Sequence, residues 1–181
     1  IEIILVGDCP PSDHDKENLA ASLLHDFKYY SLSKRGNYPN DTKNCWFVAG
    51  SVPNNYGLSV ASGKWICHCD DDDIFTPDHV ETLLKHAVSR NCEFVSAAYA
   101  ETTFDLRTIK VFRPTLGNYG IGGIQTVLFR SYLRFFKYSL FSYLKSWDRP
   151  TDIDRKRRMQ LAGVTMSTVD KVVTLIAPRS A

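Results

Sequence analysis

Long apolar runs, a large excess of one charge and a regular cysteine pattern are all missing from this 181-residue chain. No apolar run approaches the roughly 20 residues that a helix needs to cross a bilayer, and no signal peptide is visible at the start. The formal net charge of +2 argues neither for nor against a polyanion, and we expect no nucleic-acid partner. What remains has 44% hydrophobic and 23% charged residues, which is ordinary for a globular domain.

The cysteines are odd in number and share no repeated spacing, which does not fit a disulfide framework. They are Cys9, Cys45, Cys67, Cys69 and Cys92. We therefore expect reduced thiols and a cytoplasmic location. Cys67 and Cys69 lie two apart on a predicted strand, but a thiolate metal site would need two further ligands that the sequence does not offer.

Four consecutive aspartates, Asp70–Asp73, follow directly on the apolar stretch 65–69. Adjacent carboxylates repel one another, so they must be solvated or meet a cation. Mg²⁺, Mn²⁺ and Ca²⁺ take oxygen ligands, and Mg²⁺ is usually held by one or two carboxylates plus substrate phosphates. Open α/β folds also place ligands where strands end. The run predicts a site for a metal and a diphosphate.

The residues around the acidic run bear on three other interpretations of it. A solvated acidic turn is one of them. An EF-hand loop does not fit, because Ile74 and Phe75 occupy positions that need an oxygen ligand and a glycine. A haloacid-dehalogenase-like phosphatase also has Asp-x-Asp after a strand, but there the strand should be the first of the fold.

The apolar patterns alternate between strands and helices, which predicts an α/β fold with a mostly parallel sheet flanked by helices. The predicted strands are 1–6, 27–32, the strand at Trp65, 93–100 and 108–112. Four helices are predicted. One follows Ser12 or Asp13, a second spans 57–62, a third starts at Thr76-Pro77 and a fourth ends at Ala162. Residues 33–55 are predicted to be mostly loop. With no repeat or linker in sight, residues 1–181 are predicted to form a single domain.

Three blocks of the chain resemble the family 2 glycosyltransferases, which have the GT-A (Rossmann-like) fold. Residues 2–8 are similar to the family's second strand with its terminal aspartate. Residues 55–78 match its Asn-x-Gly, Ala-x-Gly, apolar strand, Asp-x-Asp-Asp and following proline in order and spacing. Residues 151–164 resemble its Glu-Asp-Trp-Asp segment and helix.

The resemblance implies a metal-dependent, inverting transfer of a sugar from a nucleotide-diphosphate sugar to an acceptor hydroxyl. Mn²⁺ or Mg²⁺ would lie at Asp70 and Asp72, and Asp8 would contact the base. Asn55, Asp70 and Asp71 would complete the nucleotide-sugar site. The donor would be a UDP- or GDP-sugar and the acceptor a carbohydrate or a lipid-linked compound. Residues 1–105 would bind the donor and residues 106–181 the acceptor.

In the family pattern the aspartate of the Glu-Asp pair is the general base, and it falls on Asp152. On the residues alone, Asp152 fits equally well as a helix cap, and Asp154 fits a cap better than a catalytic role. A catalytically inactive module of the same fold that binds a nucleotide sugar or carbohydrate is the alternative to an enzyme.

The chain departs from the family pattern in three places. The family has a strand and helix ahead of the strand that opens this chain, so either residues upstream are missing from the sequence or another segment replaces that strand. Asn54 stands where the family often has an arginine, and Thr151 stands where it has glutamate.

Three further features remain open on the sequence. The glycine-rich loop 117–123 either borders the acceptor or is a flexible surface loop. The basic residues of 149–158 either meet a diphosphate or form a solvated helix face. The aromatic residues of 132–147 alternate with basic ones, and they either pack on the core, stack on sugars or contact a membrane surface. Core packing is the leading interpretation of that segment.

Overall fold

The structure, a computed structural model, describes residues 1–9, 27–115, 123–147 and 149–177. The helix predicted after Ser12 or Asp13 and the glycine-rich loop up to Gly122 lie outside the described residues. The chain groups into two compact units. The first unit comprises Ile1–Lys64 with Arg134–Arg155, and the second comprises Trp65–Leu133 with Lys156–Ala181. The division into donor and acceptor parts at residue 105 stays a prediction.

The described residues form eight strands and four α-helices. The strands are β1 Ile4–Gly7, β2 Lys28–Ser31, β3 Trp65–Cys67, β4 Asp73–Phe75, β5 Phe94–Thr102, β6 Thr108–Phe112, β7 Val127–Arg130 and β8 Met166–Ile176. The helices are α1 Thr42–Val48, α2 Ser51–Val60, α3 His79–Ser89 and α4 Thr151–Leu161. Short 3-10 helices span Ile124–Thr126, Ser131–Phe135 and Ser142–Leu144. No helix among these is both long and apolar enough to span a membrane.

In the first unit, β1 and β2 pair in parallel, with Ile4 opposite Lys28 and Gly7 opposite Ser31. Both strands were predicted. The predicted loop over 33–55 is wrong, because all of α1 and the first half of α2 lie within it. Asp41 caps α1, its carboxylate accepting from the amide of Asn44 at 2.9 Å.

Gly50 allows α2 to start directly after α1, since it takes the left-handed conformation with φ 74°. Pro53 does not break α2, because it lies in the first turn, where an amide hydrogen would have no partner within the helix. The turn-forming residues of this stretch therefore separate two helices rather than build one loop.

The second unit contains a six-stranded sheet in the order β3-β7-β5-β8-β4, with β6 paired to β5 outside that path. The α/β class is confirmed, but the prediction of a mostly parallel sheet is wrong. Only β5 and β8 pair in parallel here, whereas the pairs β3–β7, β4–β8, β5–β6 and β5–β7 are antiparallel. Two predicted strands, β5 and β6, already pair antiparallel, and the apolar pattern did not predict β4, β7 and β8, which form most of the other pairs.

The core of the second unit lies between α3 and the sheet. Its members are side chains with at most 5% exposure: Leu83, Ala87, Cys92, Val95, Ala97, Leu128 and Val173. Trp65 and Cys67 of β3 pack against this cluster, so the strand that precedes the aspartates is anchored to the core. Cys67 is half-buried, whereas Cys69 at the end of the apolar stretch is exposed.

The predicted helix at Thr76-Pro77 begins two residues later than expected, at His79, after Asp78. The Thr76 hydroxyl donates to the Asp78 carboxylate at 2.9 Å, so these residues form a turn ahead of α3. Helix α4 ends at Leu161, one residue before its predicted end, and Gly163 follows it with φ 80°.

Candidate functional site

The four aspartates form a turn that joins β3 to β4, here called the acidic turn (Asp70–Asp73). Strand β3 pairs with β7, and Asp73 opens β4, where it lies opposite Ile176 of β8. The amide of Asp73 donates to the carbonyl of Asp70 at 3.3 Å, which closes the turn. Both ends of the acidic turn are therefore held by the six-stranded sheet.

The acidic turn brings three carboxylates together. One ligand oxygen from each of Asp70, Asp72 and Asp73 lies within 4.8 Å of the others. A divalent ion with ligand distances of about 2.0–2.6 Å keeps its oxygen ligands within roughly 4–5 Å of one another, so the three carboxylates fit such an ion. Asp72 is exposed and Asp73 is half-buried, which leaves one side open for a ligand.

Asp70 and Asp72 were predicted to hold the metal together. They converge because the chain turns, and the turn adds Asp73, which the sequence reasoning did not assign to the metal. The signal for it was present, since Asp73 is the last member of the acidic run. Asp71 is exposed and is not part of the group of three, and its predicted role in nucleotide-sugar binding stays a prediction.

The Cys69 thiol lies against the backbone of the acidic turn. Its sulfur is 3.5 Å from the carbonyl oxygen of Asp70 and 3.8 Å from that of Asp73. Loss of solvent, together with the negative charges of Asp73 and Asp70, raises the pKa of this thiol to about 12. The thiol is therefore protonated at neutral pH, which leaves the oxygens as the ligands that the acidic turn offers to a cation.

Asp8 follows β1 in the first unit, and its carboxylate accepts two hydrogen bonds. The amide of Gly36 donates to one carboxylate oxygen at 3.3 Å, and the Tyr38 hydroxyl donates to the other at 2.8 Å. The Tyr38 oxygen in turn accepts from the amide of Val52 at 3.4 Å. Burial and the bond to Asp8 both raise the pKa of Tyr38, so its hydroxyl remains a donor.

Tight packing fixes this arrangement around Asp8. A side-chain carbon added at Gly36 would come within 2.6 Å of both the Tyr38 ring and the Val52 side chain, so only glycine fits there. The guanidinium of Arg35 lies 5.7 Å from the centre of the Tyr38 ring. Sequence reasoning missed Tyr38, because it lies 30 residues from Asp8 and nothing in the local pattern connects the two.

The amide side chain of Asn55 pairs with the backbone of Tyr138 in both directions. Its nitrogen donates to the Tyr138 carbonyl and its oxygen accepts from the Tyr138 amide, each at 2.8 Å. These two hydrogen bonds fix α2 to a segment 83 residues further along the chain. The structure thus gives Asn55 a structural role, while its predicted contact with the nucleotide sugar stays a prediction.

Asp152 lies in the first turn of α4 and is half-buried. Its neighbour Thr151 is buried, and the Thr151 hydroxyl donates to the carbonyl of Ser139 at 3.1 Å. Asp154 is 1% exposed and forms an ion pair with Lys145, so it supports the structure by a salt bridge rather than by a cap. The assignment of Asp152 as a base stays a prediction.

Two of the basic residues of 149–158 are buried, so the interpretation as a solvated helix face does not hold for these two. Arg155 is 3% exposed, donates to the Phe136 carbonyl at 2.6 Å and lies over the Tyr138 ring. Lys156 is 2% exposed and reaches the Thr115 carbonyl at 3.5 Å. Both are buried cations with polar partners, as burial of a charge requires.

Comparison with known proteins places this geometry in a family. Residues 51–147, more than half of the chain, match the model of glycosyl transferase family 2. Uncharacterized glycosyltransferase R139 of Acanthamoeba polyphaga mimivirus is 30% identical over 109 residues, which are 56% of this chain and 42% of that protein. Uncharacterized glycosyltransferase YwdF of Bacillus subtilis (strain 168) is 48% identical over 46 residues, 25% of this chain and 16% of that protein.

Among solved structures, the chain is similar to the crystal structure of S. aureus TarS 1–349 in complex with UDP-GlcNAc. The match covers 99% of this chain and 50% of the TarS chain. The TM-score is 0.68 and the sequence identity 15%, so the likeness concerns the fold alone. It supports the predicted GT-A fold. The chain spans less than half the length of the curated relatives that it matches. By the family match over residues 51–147, the chain belongs to glycosyl transferase family 2.

Proposed function

We propose that this chain carries out a metal-dependent, inverting transfer of a sugar from a nucleotide-diphosphate sugar to an acceptor hydroxyl. The observation that carries the proposal is the acidic turn, which gathers three carboxylates within the span of one divalent ion. It lies inside the region that matches the family. A carbohydrate or a lipid-linked compound is the proposed acceptor, and the five free cysteines support a cytoplasmic location.

Asp70, Asp72 and Asp73 would hold Mn²⁺ or Mg²⁺, because carboxylate oxygens suit both ions. When bound, the ion supplies Lewis acidity that offsets the charge of the departing diphosphate. The acidic turn is held at both ends by sheet pairing, so its carboxylates need little rearrangement to bind a cation. Such preorganisation is what a site for charge stabilisation requires.

The donor is proposed to be a UDP- or GDP-sugar. An ionised carboxylate only accepts hydrogen bonds, so Asp8 favours a base whose ring nitrogen carries a hydrogen, as in uracil and guanine. Gly36 and Tyr38 hold the Asp8 carboxylate in one orientation. The UDP-GlcNAc bound by TarS supports a uridine donor in a protein of the same fold.

Asp152 is proposed to take the proton of the acceptor hydroxyl as its oxygen attacks the sugar. Its position in the first turn of α4 fixes its backbone, and Thr151 anchors that turn to Ser139. General-base assistance of this kind contributes about 10²- to 10⁴-fold to a rate.

A catalytically inactive module that binds nucleotide sugars or carbohydrates is the second candidate. The observation in its favour is Thr151, which is buried and hydrogen-bonded where the family pattern has glutamate. Asp152 then lacks its usual acidic neighbour.

The test combines donor binding with release of the nucleotide. Wild type and Asp152→Asn are titrated calorimetrically with UDP-GlcNAc and a GDP-sugar in Mn²⁺ or chelator, and release of UDP or GDP is then followed with a panel of acceptors. Asp105→Asn, an exposed aspartate of the second unit, is the matched control. We expect Asp152→Asn to bind the donor normally and to turn over about 10²- to 10⁴-fold more slowly.

Each outcome decides one part of the proposal. Near-normal turnover of Asp152→Asn removes the base assignment. Donor binding without turnover in wild type favours the binding module, and absence of metal-dependent donor binding overturns the proposed function.

A further inference from the structure

Among the large apolar side chains that the first unit exposes, four belong to two neighbouring segments and are here called the apolar patch: Trp46, Phe141, Leu144 and Trp147. Their exposed fractions are 60%, 68%, 68% and 63%. Trp46 lies on α1, which packs against the 3-10 helix Ser142–Leu144, and the other three residues belong to that helix or flank it. The proposed transfer reaction uses none of the four.

Ordered backbone, rather than a loose loop, presents the apolar patch. The amide of Leu144 donates to the Phe141 carbonyl at 3.1 Å. Ser142, between them, is fully buried, and its hydroxyl donates to the Ser139 carbonyl at 3.3 Å. On α1, Val48 is buried while Trp46 points outward. The chain thus holds these side chains outside its own core.

The aromatic segment is therefore divided between core and surface. Phe136 and Tyr138 are buried, which confirms the core packing predicted for them. Phe141 and Trp147 are more than 60% exposed, and core packing does not account for them. Aromatic rings in such number on a surface need a partner that accepts apolar groups.

The surroundings of the apolar patch are basic. Residues 131–147 contain no aspartate or glutamate, and Arg134 and Lys137 are exposed there. Lys145 is paired with Asp154, and the exposed Lys43 of α1 lies near the exposed Asp41. Arg134 donates to a backbone carbonyl, that of Ala61 at 2.9 Å, so this contact leaves its positive charge in place. Apolar rings among exposed cations match the interface of an anionic bilayer, which offers acyl chains and negative headgroups together.

We propose that the apolar patch docks onto the surface of an anionic lipid bilayer. Trp and Phe side chains suit the boundary between headgroups and acyl chains, and the cations beside them add electrostatic attraction. A second copy of this chain is a poorer occupant, because two like patches would bring their cations face to face. The inference concerns attachment and holds whether or not the transfer reaction does.

The test is partitioning of the purified chain onto lipid vesicles. We expect it to sediment with vesicles that contain phosphatidylglycerol and to be released by high salt, and to bind vesicles of phosphatidylcholine alone far more weakly. The variant F141S/L144S should partition at least about tenfold less, since two apolar side chains no longer enter the interface. The control F104S/I109S changes residues that are 76% and 65% exposed in the second unit, and its partitioning should equal that of wild type.

Tryptophan fluorescence gives a readout that does not depend on these serine variants. The chain has three tryptophans, and Trp65 of the second unit lies under the guanidinium of Arg130. Brominated lipid should quench wild type and leave W46F/W147F, with Trp65 as its remaining tryptophan, unquenched. The proposal is overturned if wild type does not bind phosphatidylglycerol vesicles or if F141S/L144S binds them equally well. A dimer that F141S/L144S dissociates, with no vesicle binding, would also overturn it.

Discussion

The two units hold their carboxylates in opposite ways. In the first unit, Asp8 stands among neutral donors, and the amide of Gly36 and the hydroxyl of Tyr38 each occupy one of its oxygens. In the second unit, Asp70, Asp72 and Asp73 are placed within 4.8 Å of one another, where their charges oppose each other. The first arrangement stabilises a single negative charge, and the second concentrates three.

This difference indicates what each region is suited to bind. A carboxylate whose orientation is fixed by donors is suited to recognise one hydrogen-bond donor of a ligand. Three clustered carboxylates are suited to a cation, because an opposite charge relieves their repulsion. Substitutions in the two regions should therefore affect different measurable quantities.

The largest effect is expected from loss of the clustered charge. Asp72→Asn removes one of three anionic ligands, and because a bound metal contributes several kcal/mol to the transition state, we expect turnover to fall at least about a hundredfold. The measurement is the rate of nucleotide release across a Mn²⁺ series. Glu81→Gln, an exposed residue of α3, is the control and should behave as wild type. Full activity of Asp72→Asn would remove the acidic turn from the mechanism.

A smaller effect is expected when Asp8 loses a donor. Tyr38→Phe deletes the 2.8 Å hydrogen bond to the carboxylate, and bonds to charged groups are worth roughly 1.5–3 kcal/mol. We expect the KM for the donor to rise about tenfold, with metal affinity unchanged. Tyr30→Phe keeps its ring contact with Tyr56 and serves as the control. A change in metal affinity in Tyr38→Phe would contradict the separation of the two regions.

The alkylation rates of Cys9, beside Asp8, and Cys69, beside the acidic turn, report on the local charge. Cys9 follows Asp8, and Cys69 precedes Asp70, where loss of solvent and the carboxylates raise the thiol pKa to about 12. Because the thiolate is the reactive form, we expect Cys69 to be alkylated several-fold more slowly than Cys9 near neutral pH. Mass spectrometry of the alkylated peptides measures both rates. Asp73→Asn should accelerate the alkylation of Cys69 and leave that of Cys9 unchanged. An unchanged rate at Cys69 would show that the carboxylate of Asp73 does not act on this thiol.

The smallest effect is expected on the stability of the second unit when the pH is lowered. His79 is buried against Phe75, with ring centres 3.5 Å apart, and burial lowers its pKa below the ordinary 6.5. The unfolded chain therefore binds a proton first as the pH falls through 6.5, so stability is full above that value and decreases below it. Thermal unfolding in this pH range should show a falling midpoint in wild type. His79→Gln should flatten that dependence, whereas His86→Gln, at a less buried position, should retain most of it.

Local patterns in the sequence predicted much of this fold. The strand at Thr108–Phe112 matches its prediction, because its residues favour a strand. The helix at Thr151–Leu161 ends within a residue of its predicted end, because Gly163 stops it. β8 was not predicted. Asp170 and Lys171 lie where its pairing with β5 shifts register, between Val169 and Val172, and they interrupt the alternation that identifies a strand.

For the candidate site, the sequence predicted the cluster but not its supports. The four adjacent aspartates are evident from the sequence itself. The turn that makes Asp73 converge with Asp70 depends on the pairing of β4 with β8, about 100 residues away. The partners of Asp8 and Asn55 are also distant in sequence, at Tyr38 and Tyr138. Tertiary contacts of this kind leave no local pattern.

Electron paramagnetic resonance of Mn²⁺ tests the central claim most directly. At a constant concentration of uridine diphosphate, added wild-type chain should reduce the signal of the free ion in proportion to the chain added, and added triple variant D70N/D72N/D73N should leave that signal unchanged. If the wild-type chain leaves it unchanged as well, or if the triple variant reduces it equally, the acidic turn does not bind the metal.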